Sequence, residues 1–299
     1  MINTRTKVFL AIDAGGTYYK TALINLNGTL VVDSFRQIPS MSTEIKSIVI
    51  NQFETMLKEM VNLALFKEVE IIRVCLDFPG PFDYIKCCSL MKHKFVSIKG
   101  IPLKPLINSI TGCTDIQFHY DLHASVMGAY LFDEALGFSR IYCIGIGTGL
   151  GAGFLKDGEI VSYNHGQPKY PIFQMKLGEH ILEDFVSNRG IVNEYKKRTF
   201  YKDTLDAKKV EDFARMGDPS AIYVYQNMGN LLGKSIKDLL IVLEVECVVF
   251  CGQISKGYDY FGLSFSKIVK NIPSLKKITA VKDFDSLALR GVCFLSEEI

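Results

Sequence analysis

Short apolar runs rich in β-branched and aromatic residues recur along the chain and predict buried strands. These strands cover residues 7–13, 18–26, 29–34, 70–78, 116–120, 140–145, 153–156 and 246–251. Apolar residues at helical spacing predict helices, which cover residues 43–65, 122–136, 179–197, 219–243 and 285–296. Because strands and helices alternate along the chain, the pattern predicts an α/β fold.

The two halves of the chain repeat one arrangement of strands and turns. In the first half, a glycine turn at residues 15–17 separates two strands, and a hairpin turn at residues 27–28 leads to a third. In the second half, the glycine turn lies at residues 147–149 and the hairpin turn at residues 157–158. The repeat predicts two similar α/β lobes with a central cleft, where ligands are expected to bind.

The two glycine turns are candidate phosphate sites, because glycines let successive backbone N–H groups approach an anion without a Cβ in the way. Two such turns suit a nucleoside triphosphate, and Asp13 beside the first turn could hold a hydrated Mg²⁺. A plain hairpin loop with a solvated Asp13 is the alternative. Residues 147–152 (GTGLGA) also fit the dinucleotide pattern, but a Rossmann fold requires a helix directly afterwards. Residues 153–161 predict a hairpin instead, so we reject that fold.

Asp121 lies between the predicted strand at residues 116–120 and the helix that follows. At that position its carboxylate could cap the helix N-terminus. It could also act as a general base that accepts the proton of a substrate hydroxyl attacking a γ-phosphate. The helix dipole would favour the ionised carboxylate that a base requires.

Composition and charge exclude several classes of protein. With 48% hydrophobic and 22% charged residues, the 299-residue chain has an ordinary globular composition. The net charge of +2 gives no indication of a nucleic-acid partner. No apolar stretch is long enough for a signal sequence or a membrane span, so we expect a cytoplasmic protein without a membrane partner. Its eight cysteines are then expected to be buried or unreactive thiols.

Several segments together resemble motifs of the ROK family (repressors, open reading frames, sugar kinases), which belongs to the actin-like, hexokinase-like ATPases. In chain order, residues 13–20 resemble DxGGTxxK, residues 78–83 VPGPVD, residues 120–125 NDANAA, residues 147–153 GTGIGGG, and residues 217–218 with 248–255 GD…IVLGGGVS. The matches keep their order and spacing over nearly the whole chain. The resemblance implies ribonuclease-H-like lobes at residues 1–120 and 121–299, with a last helix (about 285–296) packing back on the first lobe.

The resemblance also implies an activity, the ATP- and Mg²⁺-dependent phosphorylation of a sugar hydroxyl, commonly the 6-hydroxyl of a hexose or an N-acetylhexosamine, as in a glucokinase. Asp121 would be the general base. Mg²⁺ and ATP would be bound by Asp13, Gly15, Gly16, Thr17, Lys20, Gly147, Thr148, Gly149, Gly252 and Gln253. The sugar would contact Pro79, Gly80, Tyr120, Glu183 and His165, although no motif supports His165.

Residues 162–183 depart from the family pattern, because they contain neither the GEIGH segment nor any cysteine of the usual zinc loop. We therefore expect no structural zinc site, since nothing replaces the three thiolate ligands. Residues 182–187 resemble the LEAYAS stretch that closes the loop, which implies a sugar contact for Glu183; a helix-surface carboxylate is the alternative. Tyr120 stands where the family has a sugar-binding asparagine, so the identity of the sugar is the least transferable part of the resemblance.

Other interpretations stay open beside the kinase. A sugar-sensing repressor needs a DNA-binding segment, for which we expect no room because the first strand starts by Lys7. A sugar-binding protein without catalysis fits the altered sugar-site residues, but not the retained Asp13 and Asp121. Some members of the family that lack the zinc loop use polyphosphate as the phosphoryl donor, so polyphosphate is an alternative to ATP. Family members are often dimers, so the resemblance also implies a homodimer. A basic stretch precedes Gly100 and comprises Lys92, His93, Lys94 and Lys99. We expect these side chains to be solvated; the alternative is that they bind phosphate or an acidic sugar.

Overall fold

The computed structural model describes residues 5–296, which fall into two compact units. The first unit comprises Met1–Gly128, Ser162–Gln167 and Asp285–Ile299, and the second comprises Ala129–Val161 and Pro168–Phe284. The predicted boundary lies between residues 120 and 121, whereas the two units divide after Gly128. The difference arises because most of the helix that begins at Asp121 stays with the first unit.

Runs of strands and runs of helices follow one another along the described chain. The strands are β1 (Thr6–Ala14), β2 (Tyr18–Asn25), β3 (Arg36–Pro39), β4 (Val69–Phe78), β5 (Phe82–Asp83), β6 (Cys88–Ser89), β7 (Ile116–Tyr120), β8 (Arg140–Ile146), β9 (Leu150–Lys156), β10 (Glu159–Ile160), β11 (Ser162–Tyr163), β12 (Gln167–Pro168), β13 (Lys176–Leu177), β14 (His180–Ile181), β15 (Cys247–Cys251) and β16 (Lys277–Ala280). The helices are α1 (Lys46–Phe66), α2 (Lys104–Thr111), α3 (Asp121–Phe132), α4 (Asn188–Thr199), α5 (Ala207–Arg215), α6 (Pro219–Val242), α7 (Tyr258–Val269) and α8 (Leu287–Val292).

Each unit contains a five-stranded sheet, and the two sheets have the same topology. The strand order is β3-β2-β1-β4-β7 in the first unit and β10-β9-β8-β15-β16 in the second. In both sheets the first three strands along the chain are antiparallel neighbours, and the last two add in parallel on the other side. The repeat in the sequence therefore corresponds to a repeat in the sheets, and the prediction of an α/β fold with two similar lobes is confirmed.

The core of the first unit forms around β1, β4 and α1. Alternate residues of β1 are fully buried, as expected for one face of a strand, and α1 covers the sheet with Val49, Phe53 and Met56. Helix α8 packs against β1, β2 and β4 and crosses α3 where Gly128 and Gly291 meet. A Cβ at either glycine would collide with backbone of the other helix, so glycine permits this close crossing. The last helix thus lies within the first unit.

The second unit is organised around α6, which runs for 24 residues. Asp218 caps its first turn by accepting hydrogen bonds from Ser220 N (2.7 Å) and Ala221 N (3.2 Å). Gly229 lies against the backbone of α7 at Phe261, so the two helices approach closely over the buried face of the sheet.

Two secondary-structure predictions were wrong. Residues 29–34 form a single bridge, between Leu30 and Ile24, rather than a strand. Ser34 binds the backbone of Leu23 and Val31 and turns the chain, and a paired strand resumes at β3. The helix predicted from residue 179 begins at Asn188, where Ser187 supplies the cap by accepting the N–H of Gly190. Helices α2, α5 and α7 and strand β16 were not predicted.

The eight cysteines are all buried and free, which confirms the prediction of buried thiols. Of the helices within residues 5–296, none combines the length and apolar character needed to cross a membrane.

Candidate active site

Three carboxyl groups of the first unit lie at one edge of its sheet. Asp13 and Asp77 are register partners on the parallel strands β1 and β4, and Asp121 follows β7, whose last residue pairs with Phe78. The carboxyl ends of parallel strands meet at the same sheet edge, where α/β proteins commonly bind ligands. The sequence motifs located Asp13 and Asp121 but missed Asp77. An aspartate within the apolar run of residues 70–78 was the available signal.

Asp77 is fully buried, and neither of its carboxyl oxygens has a hydrogen-bond donor among the described residues. Burial, followed by the charges of Asp13 and Asp121, raises the pKa of Asp77 well above its usual range. Burial likewise raises the pKa of Asp13, which Lys20 opposes by its positive charge. A proton held on Asp77 can form a hydrogen bond to Asp13. The pair therefore carries less than its full double charge at neutral pH.

The carboxyl group of Asp121 has the protonation behaviour expected of a general base. Its Oδ1 atom accepts a hydrogen bond from Leu122 N at 2.9 Å in the first turn of α3. Desolvation, and then the charge of Asp13, raise the pKa of Asp121 to about 7, although Lys94 partly opposes the shift. A base is most effective when its pKa lies near the working pH. The capping role and the catalytic role predicted for Asp121 are compatible, because the second oxygen is not used by the cap.

The first glycine turn joins β1 to β2, and backbone closeness requires glycine at the first position, Gly15. A Cβ at Gly15 would lie 2.8 Å from Tyr18 O, and a Cβ at Gly16 would overlap the side chain of Lys94. Thr17 is exposed beside them. The ammonium group of Lys20 forms an ion pair of 2.8 Å with Asp285. Lys20 thus lies beside the turn with a carboxylate partner from the C-terminal part of the same unit.

The residues predicted to contact a sugar lie partly together in the first unit. A Cβ at Gly80 would come within 3.9 Å of the ring of Tyr120, and the peptide bond between Gly80 and Pro81 is cis. Pro79 is partly exposed and continues directly from β4. His165 is exposed, with φ of +68°, on a short segment whose Gly166 approaches Tyr84. The structure brings Gly80 and Tyr120 together, whereas His165 has no contact that assigns it a role.

The second glycine turn, in the second unit, is braced by its neighbours. Gly147 N donates to Gly149 O at 2.9 Å, and Asn188 N donates to Gly147 O at 3.0 Å. Glu183 Oε2 accepts a hydrogen bond from Leu150 N at 2.9 Å and would lie 2.7 Å from a Cβ at Gly149. Glu183 lies in a short 3₁₀ turn and contacts the glycine turn, so it is not a helix-surface carboxylate. Thr148 is exposed.

Gly252 ends β15 next to this turn. Its φ of +82° favours glycine, and a Cβ would lie 2.5 Å from Ile146 O at the end of β8. Gln253 follows it, exposed, at the start of a 3₁₀ helix. Gly252 therefore allows the ends of two neighbouring strands to approach, and it presents Gln253 to solvent beside them.

The segment that departs from the family pattern forms two small hairpins. Strands β11 and β12 pair with each other, as do β13 and β14 around Gly178. Within residues 5–296, no three His, Cys, Asp or Glu side chains form a group that could hold a metal ion. The hairpin of β13 and β14 leads directly into the turn that carries Glu183.

The sequence model of the ROK family matches residues 9–168 and 178–298. The chain belongs to the ROK family. The stretch between the two matched parts, residues 169–177, lies inside the segment that departs from the family motifs. The family assignment thus covers both sheets and all of the predicted site residues.

Relatives within the ROK family include both enzymes and repressors. The chain is 23% identical to the glucokinase of Thermotoga maritima over 287 residues, which cover 88% of this chain and 87% of the relative. It is also 23% identical to the xylose repressor of Bacillus subtilis, over 86% of this chain and 67% of the repressor. A solved structure of the ROK glucokinase from Streptomyces griseus, in complex with glucose and AMPPNP, has a TM-score of 0.79 at 17% identity, covering 95% of this chain and 97% of that one. This similarity confirms the fold.

Proposed function

We propose that this ROK protein is a sugar kinase that transfers the γ-phosphoryl group of ATP to a hydroxyl of a hexose or an N-acetylhexosamine, most simply the 6-hydroxyl. The observation that carries the proposal is the carboxyl group of Asp121, whose pKa of about 7 suits a general base. A protein that only binds a sugar has no need for a carboxyl group tuned in this way. The kinases among its relatives support the same function.

In the proposed reaction, Asp121 accepts the proton of the sugar hydroxyl as the hydroxyl oxygen attacks the γ-phosphorus. The bond from the γ-phosphorus to the bridging oxygen breaks, and ADP leaves with that oxygen. Backbone N–H groups at Gly15, Gly16 and Thr17 and at the second glycine turn bind phosphate oxygens. In the second unit, Gly252 and Gln253 flank the adenosine. In the first unit, Pro79, Gly80 and Tyr120 line the sugar site, and Glu183 is a further candidate for a sugar contact.

The residues present also fit a hydrated Mg²⁺ next to Asp13. Carboxylate oxygens are hard ligands that suit this ion, and Mg²⁺ keeps most of its waters, so a single carboxylate is sufficient. Asp13 is partly exposed at the end of β1, and its Oδ1 would lie 3.9 Å from a Cβ at Gly15, so its carboxyl group lies beside the first glycine turn. When bound, Mg²⁺ neutralises phosphate charge, and Asp13 orients its water shell.

The test of the proposal is ADP release from Mg²⁺ and ATP with a panel of hexoses and N-acetylhexosamines, using Asp121→Asn as the matched variant. Asparagine keeps the size of the side chain and an oxygen that accepts from Leu122 N, but it cannot take a proton. We expect sugar-dependent ADP release by the wild type and a loss of about 10²-fold or more in kcat for Asp121→Asn, with an unchanged Kd for the sugar. Equal turnover by the two proteins would contradict the role of Asp121.

A catalytically inactive sugar-binding protein is the second candidate. The contact of Glu183 with Leu150 N favours it, because a carboxylate committed to the glycine turn is less available to a sugar. In the same panel, sugar binding without ADP release from ATP, and without consumption of polyphosphate as donor, would support this candidate over the kinase.

A further inference from the structure

The side chain of Lys94 covers the first glycine turn. Its Cδ, Cε and Nζ atoms occupy the space next to Gly16 where a side chain would otherwise lie, with Nζ 2.5 Å from the position of a Cβ. Lys94 is partly buried there, whereas Lys92, His93 and Lys99 of the same basic stretch are exposed. The prediction of a solvated stretch therefore holds for the other three residues but not for Lys94.

The backbone around Lys94 is fastened to the turn that it covers. The buried Ser42 donates a hydrogen bond through its hydroxyl to Gly16 O, and its carbonyl oxygen accepts Phe95 N at 2.7 Å. Phe95 is fully buried and lies in the left-handed region, with φ of +52°, which is rare for a bulky residue. Such a conformation persists only when surrounding contacts fix it. The position of Lys94 is thus built into the fold.

The ammonium group of Lys94 has an electrostatic neighbour but no direct partner. Among the residues that the structure describes, none forms a hydrogen bond or an ion pair with its Nζ atom. Partial burial lowers the pKa of Lys94, and the negative charge of Asp121 works in the opposite direction. A partly desolvated cation without a partner favours binding of an anion from solution. The location beside both Gly16 and Asp121 suggests which anion.

We infer that Lys94 binds the terminal phosphoryl group of the nucleotide and neutralises charge on that group during transfer. The inference rests on the proposed function, which places phosphate at the first glycine turn and the accepting hydroxyl at Asp121. A cation that covers Gly16 and interacts electrostatically with Asp121 is placed to act on the group that moves from one to the other. An ammonium is a compact point charge that can follow phosphate oxygens through this movement.

The experiment compares nucleotide binding by Lys94→Met and wild-type protein, using isothermal titration calorimetry without sugar. Methionine keeps an aliphatic chain over Gly16 but removes the charge. The ligands are ADP and the non-hydrolysable β,γ-imido analogue of ATP, each with Mg²⁺. We expect the Kd of the ATP analogue to rise about tenfold, as for the loss of one charge-assisted contact, and the Kd of ADP to change by less than about twofold. Lys92→Met, a substitution of an exposed lysine two residues away, is the control and should leave both constants unchanged.

The outcomes separate this inference from the proposed function. The inference is overturned if Lys94→Met binds the ATP analogue with the same Kd as the wild type. It is also overturned if the Kd of ADP rises as much as the Kd of the analogue, because Lys94 would then not act on the terminal phosphoryl group. If the wild type binds the analogue in a Lys94-dependent way but phosphorylates no sugar, the inference stands and the kinase proposal fails. If the wild type phosphorylates sugar and Lys94→Met matches it in binding and kcat, only the inference fails. Equal thermal unfolding midpoints of the variants establish that each is folded.

Discussion

Asp13 and Asp77 are register partners on the neighbouring parallel strands β1 and β4, so their carboxyl groups lie side by side at the sheet edge. Two carboxyl groups in this arrangement, one of them fully buried, cannot both ionise without a large electrostatic penalty. The pKa of both groups is raised, and the shift is larger for Asp77, whose burial is complete. The native state therefore retains a proton that the unfolded chain releases.

Because Asp77 holds this proton in the native state, the free energy of unfolding depends on pH. The native pKa of Asp77 is raised, so stability contributed by the bound proton is present in acid and is lost as the pH rises from about 4 towards that pKa. Asp77→Asn keeps a donor for Asp13 without a titrating group. We expect the stability of the variant relative to the wild type to increase steadily as the pH rises from 4.5 to 8. Urea unfolding at pH 4.5, 6 and 8 measures the difference.

Asp203→Asn serves as the control for this measurement, because it makes the same chemical change at an exposed aspartate outside the sheet edge that carries Asp13 and Asp77. A wild type that is more stable than Asp77→Asn at pH 8 would show that the Asp77 carboxylate is ionised and stabilising in the native protein.

The pKa of Asp121 predicts the acid limb of the kinase activity. A base must be ionised to accept a proton, so kcat/KM should fall about tenfold per pH unit below about 7. The charged groups that act on Asp121 are Asp13, which raises its pKa, and Lys94, which lowers it. Removing the charge in Lys94→Met should therefore move the acid limb to higher pH. Initial rates between pH 5.5 and 9, with saturating nucleotide, measure the acid limb of the wild type and of Lys94→Met. A wild-type kcat/KM that does not change between pH 6 and 8 would rule out Asp121 as the titrating base.

Glu183 has a structural contact that can be separated from a role in sugar binding. Glu183→Ala removes the acceptor of Leu150 N next to the second glycine turn, and we expect a loss of about 1 kcal/mol in unfolding free energy. Glu183→Gln keeps an oxygen for that N–H, so stability should be largely restored. If Glu183 also contacts the sugar, the glutamine variant raises KM for the sugar while its thermal unfolding stays close to that of the wild type.

The matched control is Glu179→Ala, since Glu179 is exposed in the hairpin that precedes this turn. The assigned contact would be wrong if Glu183→Ala and Glu179→Ala unfolded at the same temperature as the wild type.

Much of both sheets and both glycine turns followed from the sequence, because the apolar runs of β1, β4, β7 and β15 are followed by glycine, proline or aspartate, which mark strand ends. The helix at residues 179–187 was mispredicted because its apolar spacing also suits a hairpin and a 3₁₀ turn, and only the cap at Ser187 fixes the start of α4. Short motifs locate residues by their chain neighbours, so they found Asp13 and Asp121.

Asp77 and Lys94 could not be located in this way, because their importance depends on neighbours distant in the chain. Asp77 lies beside the carboxyl group of Asp13 only because of the register between β1 and β4. Lys94 reaches Gly16 only through the hydrogen bonds of Ser42 with Gly16 and Phe95. The local signs were weak: an aspartate within an apolar run for Asp77, and for Lys94 a basic stretch that is ordinarily solvated, with phosphate only as the alternative.

Two glycines of the second unit should respond differently to the same added methyl group. Gly252 has φ of +82° and a Cβ there would lie 2.5 Å from the backbone oxygen of Ile146, so Gly252→Ala should lose about 2 kcal/mol or more of unfolding free energy. Gly147 has no atom within 4 Å of its Cβ position, so Gly147→Ala should keep the wild-type stability within about 0.5 kcal/mol. The proposed approach of phosphate to the second turn nevertheless predicts weaker binding of the ATP analogue by Gly147→Ala. Urea unfolding and calorimetric titration of both variants test this contrast, and a Gly147→Ala protein with wild-type stability and wild-type nucleotide affinity would remove Gly147 from the phosphate site.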